Sequence, residues 1–200
     1  MSSLSVLYLM RGSGFVALLL LSVSVALGVV GVKRWSSSRW SRVVTAGLHR
    51  NVALLATTFL VIHIVTASLD SWVGLKWVGA VVPFVATYRP LWVGLGALAF
   101  DLLLAVMATS LLRRHVGRGA WRAVHWATWL LWPTALIHAL GSGTDITKAW
   151  GLVLVGASVA LVAGAAVWRV LPQRRPSAPI PTVSTGAPRT LVASTSRSES

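Results

Sequence analysis

The stretch LHRNVALLATTFLVIHIVTASLD, residues 48–70, decides how the whole chain is read. It is an apolar run of the length that crosses a bilayer as a helix, yet it carries two histidines, His49 and His63, fourteen residues apart. At about 1.5 Å rise and about 100° per residue, the two rings stand about 21 Å apart along the axis and share one face. Residues 121–144 repeat the arrangement with His125 and His138, thirteen apart. His63 precedes Asp70 by seven residues and His138 precedes Asp145 by seven, so both runs carry their histidines at matching depths. Imidazole in hydrocarbon is costly unless it is paired with a polar group or a metal.

The composition sets these runs in a membrane. Of 200 residues, 56% are apolar and 11% charged, and the mean hydropathy is +0.75, values foreign to a soluble domain. The absence of cysteine excludes disulfides, thiolate-ligated haem, iron–sulfur clusters and the covalent attachment of a c-type haem. A net charge of +14 would point a soluble protein toward nucleic acid. Here the basic residues cluster between apolar spans, so topology accounts for them and no nucleic-acid partner is expected.

Working outward, residues 14–32 form a first uncharged span. A signal peptide has a shorter apolar core with its positive charge mainly in front, whereas Lys33 and Arg34 lie behind this one, so an uncleaved helix is expected. A basic loop with Lys33, Arg34, Arg39 and Arg42 leads into the first histidine helix. Residues 70–89 are too short to span and rich in tryptophan, which predicts a short interfacial or re-entrant piece. Residues 90–112 are apolar except for Asp101 at their middle. The basic turn RRHVGRGAWR precedes the second histidine helix, and residues 149–167 make a fifth span. The chain then becomes Pro/Ser/Thr-rich, which predicts a disordered tail over residues 172–200 after a membrane domain over residues 1–171. The expected fold is an all-α membrane bundle of about five transmembrane helices.

Fourteen of the eighteen basic residues fall on one side of that arrangement, leaving Arg11, Lys76, Arg89 and Lys148 on the other. The positive-inside bias predicts an external N-terminus and a cytoplasmic tail. Both histidine helices then run outward in parallel. His49 is expected to face His125 near the cytoplasmic leaflet, and His63 to face His138 near the outer one. Two helices with two histidines each at matching depth are what two stacked haems, each with two axial histidines, require. Thirteen residues leave His125 and His138 about 140° apart on an ideal helix, and Pro133 between them is the expected source of re-phasing.

Around this frame, Arg50 and Arg122 flank the inner pair and are candidates for haem propionates, since arginine binds carboxylates by paired hydrogen bonds; topology alone also explains them. Arg89 and Lys76 are the weaker equivalents for the outer haem. Trp126, Trp129 and Trp132 recur every three residues, a pattern of helix packing more than of electron relay. Trp35, Trp40, Trp72, Trp77, Trp121, Trp150 and Trp168 fall at expected membrane boundaries as anchors. Asp101, an acid within a span, suits a proton path or a helix–helix hydrogen bond equally. His115 reads as a solvated loop histidine.

The histidine pattern, with the stretches RGSGFVALLLL, YRPLWVGLGALAFDLLLA and WRAVHWATWLLWPTALIHALGSGTD, resembles the ferric reductase-like transmembrane domain family. That family includes ferric reductases, NADPH oxidases and the haem-binding membrane subunit of a bacterial methionine sulfoxide reductase system. The likeness covers roughly residues 11–171. It implies that His49, His63, His125 and His138 ligate two b-type haems and pass electrons outward, as a cytochrome b. Oxidase and reductase members carry a cytoplasmic FAD and NADPH domain; this chain has no glycine-rich nucleotide loop and no strand–helix alternation, and five expected spans where many relatives have six. The reading is therefore the haem subunit of a multi-component reductase. Its electron donor is expected to be a cytoplasmic flavoprotein or quinol, and its acceptor an external flavin protein or metal. A small transporter using the histidines and Asp101 as a proton or cation path is the alternative from another class, and a cofactor-free structural subunit is a third.

Overall fold

A computed structural model of the chain describes residues 3–32, 41–70, 75–143 and 145–171. The described residues are helical throughout their long segments: α1 (Ser3–Val32), α2 (Arg42–Leu69), α3 (Trp77–Val81), α4 (Pro90–Leu111), α5 (Arg113–Val116), α6 (Arg118–Trp126), α7 (Thr128–Ser142) and α8 (Ala149–Val170). The all-α bundle expected from the sequence is thus present. Four helices, α1, α2, α4 and α8, are long and apolar enough to cross a membrane. The expected tail lies outside the described residues, as do most of the basic loop and Trp35, Trp40 and Trp72.

The helix boundaries follow local chemistry. Ser41 caps α2 by accepting from the Val44 N–H at 3.3 Å, which satisfies one of the first turn's orphan donors. Pro90 opens α4 at the position where a missing N–H costs nothing. Gly117, at φ 79°, makes the turn between α5 and α6 in a region open to glycine. Hydroxyls on the spans bond back into their own helices, as Ser22 does to the Leu18 carbonyl and Thr66 to that of Ile62. This removes unpaired polar groups from hydrocarbon.

The expected fourth span is two helices rather than one. At Ala127 the ladder tightens: the Ala127 N–H donates to the Val124 carbonyl and the Leu130 N–H to the Ala127 carbonyl, both at 2.9 Å. The Thr128 hydroxyl takes up the His125 carbonyl at 2.8 Å. These three-residue bonds overwind the chain relative to an α-helix. Pro133, the expected site of re-phasing, lies inside an unbroken α7. Between His125 and His138 the chain thus holds both a tightened junction at Ala127 and Pro133 inside α7.

Helix α1 packs against α2, α8 and α7, and α4 packs against α7 and α6, whereas α2 and α7 have no extensive interface among the described residues. The two histidine helices are held apart by their neighbours. A small apolar plug of Ala99, Leu103 and Leu131, flanked by Leu21, Leu60 and Ala135, fills the middle of the bundle.

Candidate functional site

The site is best built from the helices that do not carry the histidines. His63 on α2 has its Nδ1 2.8 Å from the Met10 carbonyl of α1. His49 has its Nδ1 2.9 Å from the Ser24 carbonyl of α1, and His138 on α7 has its Nδ1 2.7 Å from the Trp92 carbonyl of α4. Four residues after each acceptor comes a glycine: Gly14, Gly28 and Gly96. A methyl group there would stand 2.9 Å from His63 Nδ1, 3.5 Å from His49 Cε1 and 2.6 Å from His138 Cε1. Each ring edge therefore lies over the bare Cα of a glycine and reaches the carbonyl one turn back.

These bonds fix the tautomer. A carbonyl only accepts, so Nδ1 carries the proton and Nε2 keeps its lone pair. Imidazoles that bind metal are oriented in this way, with the second nitrogen donating to a carbonyl or carboxylate. The rings meet in pairs, α2 facing α6 at one level and α7 at the other. His49 and His125 have centroids 6.3 Å apart, and His63 and His138 have centroids 6.2 Å apart. These are the two pairs expected from depth, and they make the α6–α7 segment run parallel to α2. Two metal–nitrogen bonds of about 2.0–2.1 Å in line, with about 1.2 Å from each nitrogen to its ring centre, span about 6.4 Å. The spacing of each pair would leave room for one metal ion between the two imidazoles. Among the described residues no three His, Cys, Asp or Glu side chains converge as a bare-metal centre requires; the histidines come in twos.

His63 and His138 line a cavity of about 290 Å³ whose walls are otherwise mainly small and apolar, including Ala17, Ala56, Ala97 and Ala135. Arg11, Tyr88 and Asp145 are among its polar lining residues. Arg11 Nη1 lies 3.1 Å from Asp145 Oδ2, and Lys148 Nζ lies 2.7 Å from Asp145 Oδ1. The Lys148 hydrogen bond, reinforced by the charge of Arg11, holds the Asp145 carboxyl below its ordinary range.

The chain matches no family model, no curated protein and no solved structure. Its geometry is what speaks for its chemistry.

The other sequence candidates fall into place unevenly. Arg50 and Arg122 are exposed, and their side chains make no hydrogen bond or ion pair among the described residues. Arg89 sits in a left-handed conformation with φ 42° and donates to the Gly141 carbonyl at 2.9 Å, tying α4 to α7 beside His138. Lys76 caps α3 without a side-chain bond. Asp101 is absent from the cavity lining. His115 is exposed, as expected. The tryptophan stripe divides: Trp132 donates to the buried Ser22 hydroxyl at 2.8 Å, while Trp126 and Trp129 hold the Arg169 guanidinium over their rings. Trp121, expected as an anchor, stacks on His125 at 5.0 Å and carries Arg113 on its ring.

The glycine cradles are the functional residues that sequence reasoning missed. Gly14 and Gly28 are fourteen apart, the spacing of His49 and His63, and that match was the available signal. His125 is the exception. Its Nδ1 is buried without a hydrogen-bond partner.

Proposed function

We propose that this chain is a di-haem b membrane cytochrome, the haem subunit of a multi-component reductase that carries electrons across the cytoplasmic membrane. The observation that supports this most is the pairing: two histidine pairs with ring centroids 6.3 and 6.2 Å apart, three of the four rings oriented through Nδ1 so that Nε2 would be left for a metal. His49 and His125 would hold one haem iron, and His63 and His138 the other. Bound haem supplies reversible one-electron chemistry without proton uptake at the metal. The protein's part would be to hold His49, His63 and His138 in fixed orientation through their Nδ1 contacts to backbone carbonyls. It also surrounds the His63–His138 site with a mainly apolar wall.

The orientation follows the basic residues: N-terminus outside, with His49 and His125 toward the cytoplasm. Electrons would enter at that end from a cytoplasmic flavoprotein or quinol. They would leave at the His63–His138 end to an external flavin protein or a metal. The likeness to the ferric reductase-like family supports the same direction of transfer. The transporter reading loses support because Asp101 does not line the cavity that His63 and His138 share.

The test is direct. Protein purified after expression with ample haem should bind two haems b per chain by pyridine haemochrome, both low-spin. One haem or none in fully loaded protein refutes the reading. NADPH alone should leave the haems oxidised while dithionite reduces them; rapid reduction by NADPH without an added flavoprotein refutes the separate donor.

A further inference from the structure

The chain sets four acids, Asp70, Asp101, Asp145 and Glu199, against eighteen Lys and Arg, and their placement leaves one end of the bundle without a counter-charge. Asp145 takes up Arg11 and Lys148 at the His63–His138 end, and Asp70 closes α2 seven residues past His63. Asp101 stands in the middle of α4, and Glu199 lies outside the described residues. Helix α4 starts near His138, which its Gly96 meets, and runs to Leu111 at the opposite end. There the turn at Gly117 joins α5 to α6. Arg113 and Arg114 of α5 and Arg118 of α6 line one open pocket of about 560 Å³ with Leu111 and Gly117. We propose that this pocket binds the phosphate headgroup of an anionic phospholipid in the leaflet at that end.

Three cations around one concavity repel one another, and an anion between them reverses the sign of the interaction. The Arg114 and Arg118 side chains are exposed and make no hydrogen bond or ion pair among the described residues. Arg113 lies with its Cζ 4.7 Å from the centre of the Trp121 ring. That contact uses the face of the guanidinium and leaves its N–H edge available. Planar forks of this kind bind phosphate oxygens in two-pronged fashion. The surroundings favour a lipid over an acidic protein. Leu111 and Leu112, at the end of a span and next to the arginines, are 73% and 52% exposed. Cation and apolar surface side by side match a headgroup with its acyl chains, and Trp121 stands where an indole sits at the membrane interface. Basic pockets at the ends of transmembrane helices hold anionic headgroups for this reason. A headgroup gripped by all three arginines would pin the α5–α6 elbow.

The experiment uses the full chain in neutral detergent and counts bound lipid by native mass spectrometry. It is titrated with phosphatidylglycerol, with phosphatidylcholine of the same chains, and with inorganic phosphate as competitor. One phosphatidylglycerol should bind in preference to phosphatidylcholine, and equimolar phosphate should not displace it. An arginine near an anionic lipid surface contributes about fivefold in affinity, so Arg113→Gln, Arg114→Gln and Arg118→Gln combined should weaken binding about hundredfold. Arg42→Gln, Arg174→Gln and Arg175→Gln combined remove the same charge outside the pocket and should leave binding near wild type. If the first triple variant loses its helical circular dichroism, Arg114→Gln alone decides, with about a fivefold loss expected. Equal weakening in both triple variants would make the attraction a diffuse effect of net charge. Displacement by phosphate would make the ligand a free anion, and unchanged lipid binding in the pocket variants would leave the arginines to an acidic protein. Each of these results overturns the proposal, and none depends on whether haem is bound.

Discussion

Substituting alanine for each cradle glycine separates close approach to histidine from every other role of these residues. At Gly96 the new methyl would stand 2.6 Å from His138 Cε1 and 2.7 Å from its Nδ1. At Gly14 it would stand 2.9 Å from His63 Nδ1, and at Gly28 it would stand 3.5 Å from His49 Cε1, an ordinary contact. Overpacking a fixed ring costs about 1–3 kcal/mol, which corresponds to about 5- to 150-fold in occupancy of the site that ring serves. Against this, glycine to alanine inside a helix stabilises the polypeptide by about 0.5–1 kcal/mol. The two effects therefore have opposite signs in two assays. Haem content should fall most for Gly96→Ala, less for Gly14→Ala, and remain near wild type for Gly28→Ala. Thermal unfolding of haem-depleted protein should move upward for Gly28→Ala. The reduced-minus-oxidised spectrum identifies the haem lost, which for Gly96→Ala and Gly14→Ala should be the same one. Equal haem content in all three variants would refute the cradle argument, because the separations alone distinguish them.

Further outcomes follow from the same contacts. His49→Ala and His125→Ala should abolish one spectral component, and His63→Ala and His138→Ala the other; His49 grouping with His138 would contradict the observed pairs. Trp132→Phe removes one buried hydrogen bond to Ser22 and should lower stability by about 1 kcal/mol in denaturant titration. It should leave electron transfer between the haems at its wild-type rate. Asp145 has a depressed folded pKa, so its contribution is present above about pH 3.9, the ordinary carboxyl value, and is lost as pH falls through the lower folded value. Acid unfolding below pH 4 should therefore come at a higher pH in Lys148→Met, which lacks the hydrogen bond chiefly responsible for the depression. A wild-type acid midpoint in that variant would show that the bond is not what holds the proton off.

The parts of the fold that could be read from sequence were those written by hydrophobicity and by residue spacing along one helix. Long apolar runs identify spans because backbone groups in hydrocarbon must bond within the segment, so α1, α2, α4 and α8 lie where the runs place them. The histidine pairs were legible for a related reason. Equal offsets from Asp70 and Asp145 set equal depths, and rings at equal depth on parallel helices can meet. Phase is harder to read, because a single overwound turn rotates everything beyond it. Proline was the visible candidate for that rotation, while the tightened junction at Ala127 is built from three-residue bonds that alanine, threonine and leucine side chains do not announce. Contacts between helices are harder still. Arg11 lies 134 positions from its partner Asp145, a pairing no local pattern records.

The spacing difference between the two histidine helices carries one more consequence. On α1 the glycines repeat at fourteen, in step with His49 and His63, and both rings find a carbonyl. On α4, the residue fourteen beyond Gly96 is Ser110, whose hydroxyl accepts from the Trp121 indole at 3.4 Å. His125, one residue short of the fourteen-residue step, stacks on that same Trp121 and leaves Nδ1 buried and unbonded. Its ring is thus oriented by a flat aromatic face, which fixes the plane and not the tautomer. Under the haem reading, the His49–His125 site has one ligand made more basic by a carbonyl, and the His63–His138 site has two. A less basic imidazole donates less to the metal and stabilises its oxidised state less. The two haems should accordingly titrate as separate one-electron steps, with the component lost in His125→Ala at the higher potential. A glycine at position 110 would open the missing fourth cradle. In Ser110→Gly the gap between the two potentials should narrow as His125 gains a carbonyl. A gap unchanged in that variant, with both haems retained, would show that the orphaned nitrogen has no part in setting it.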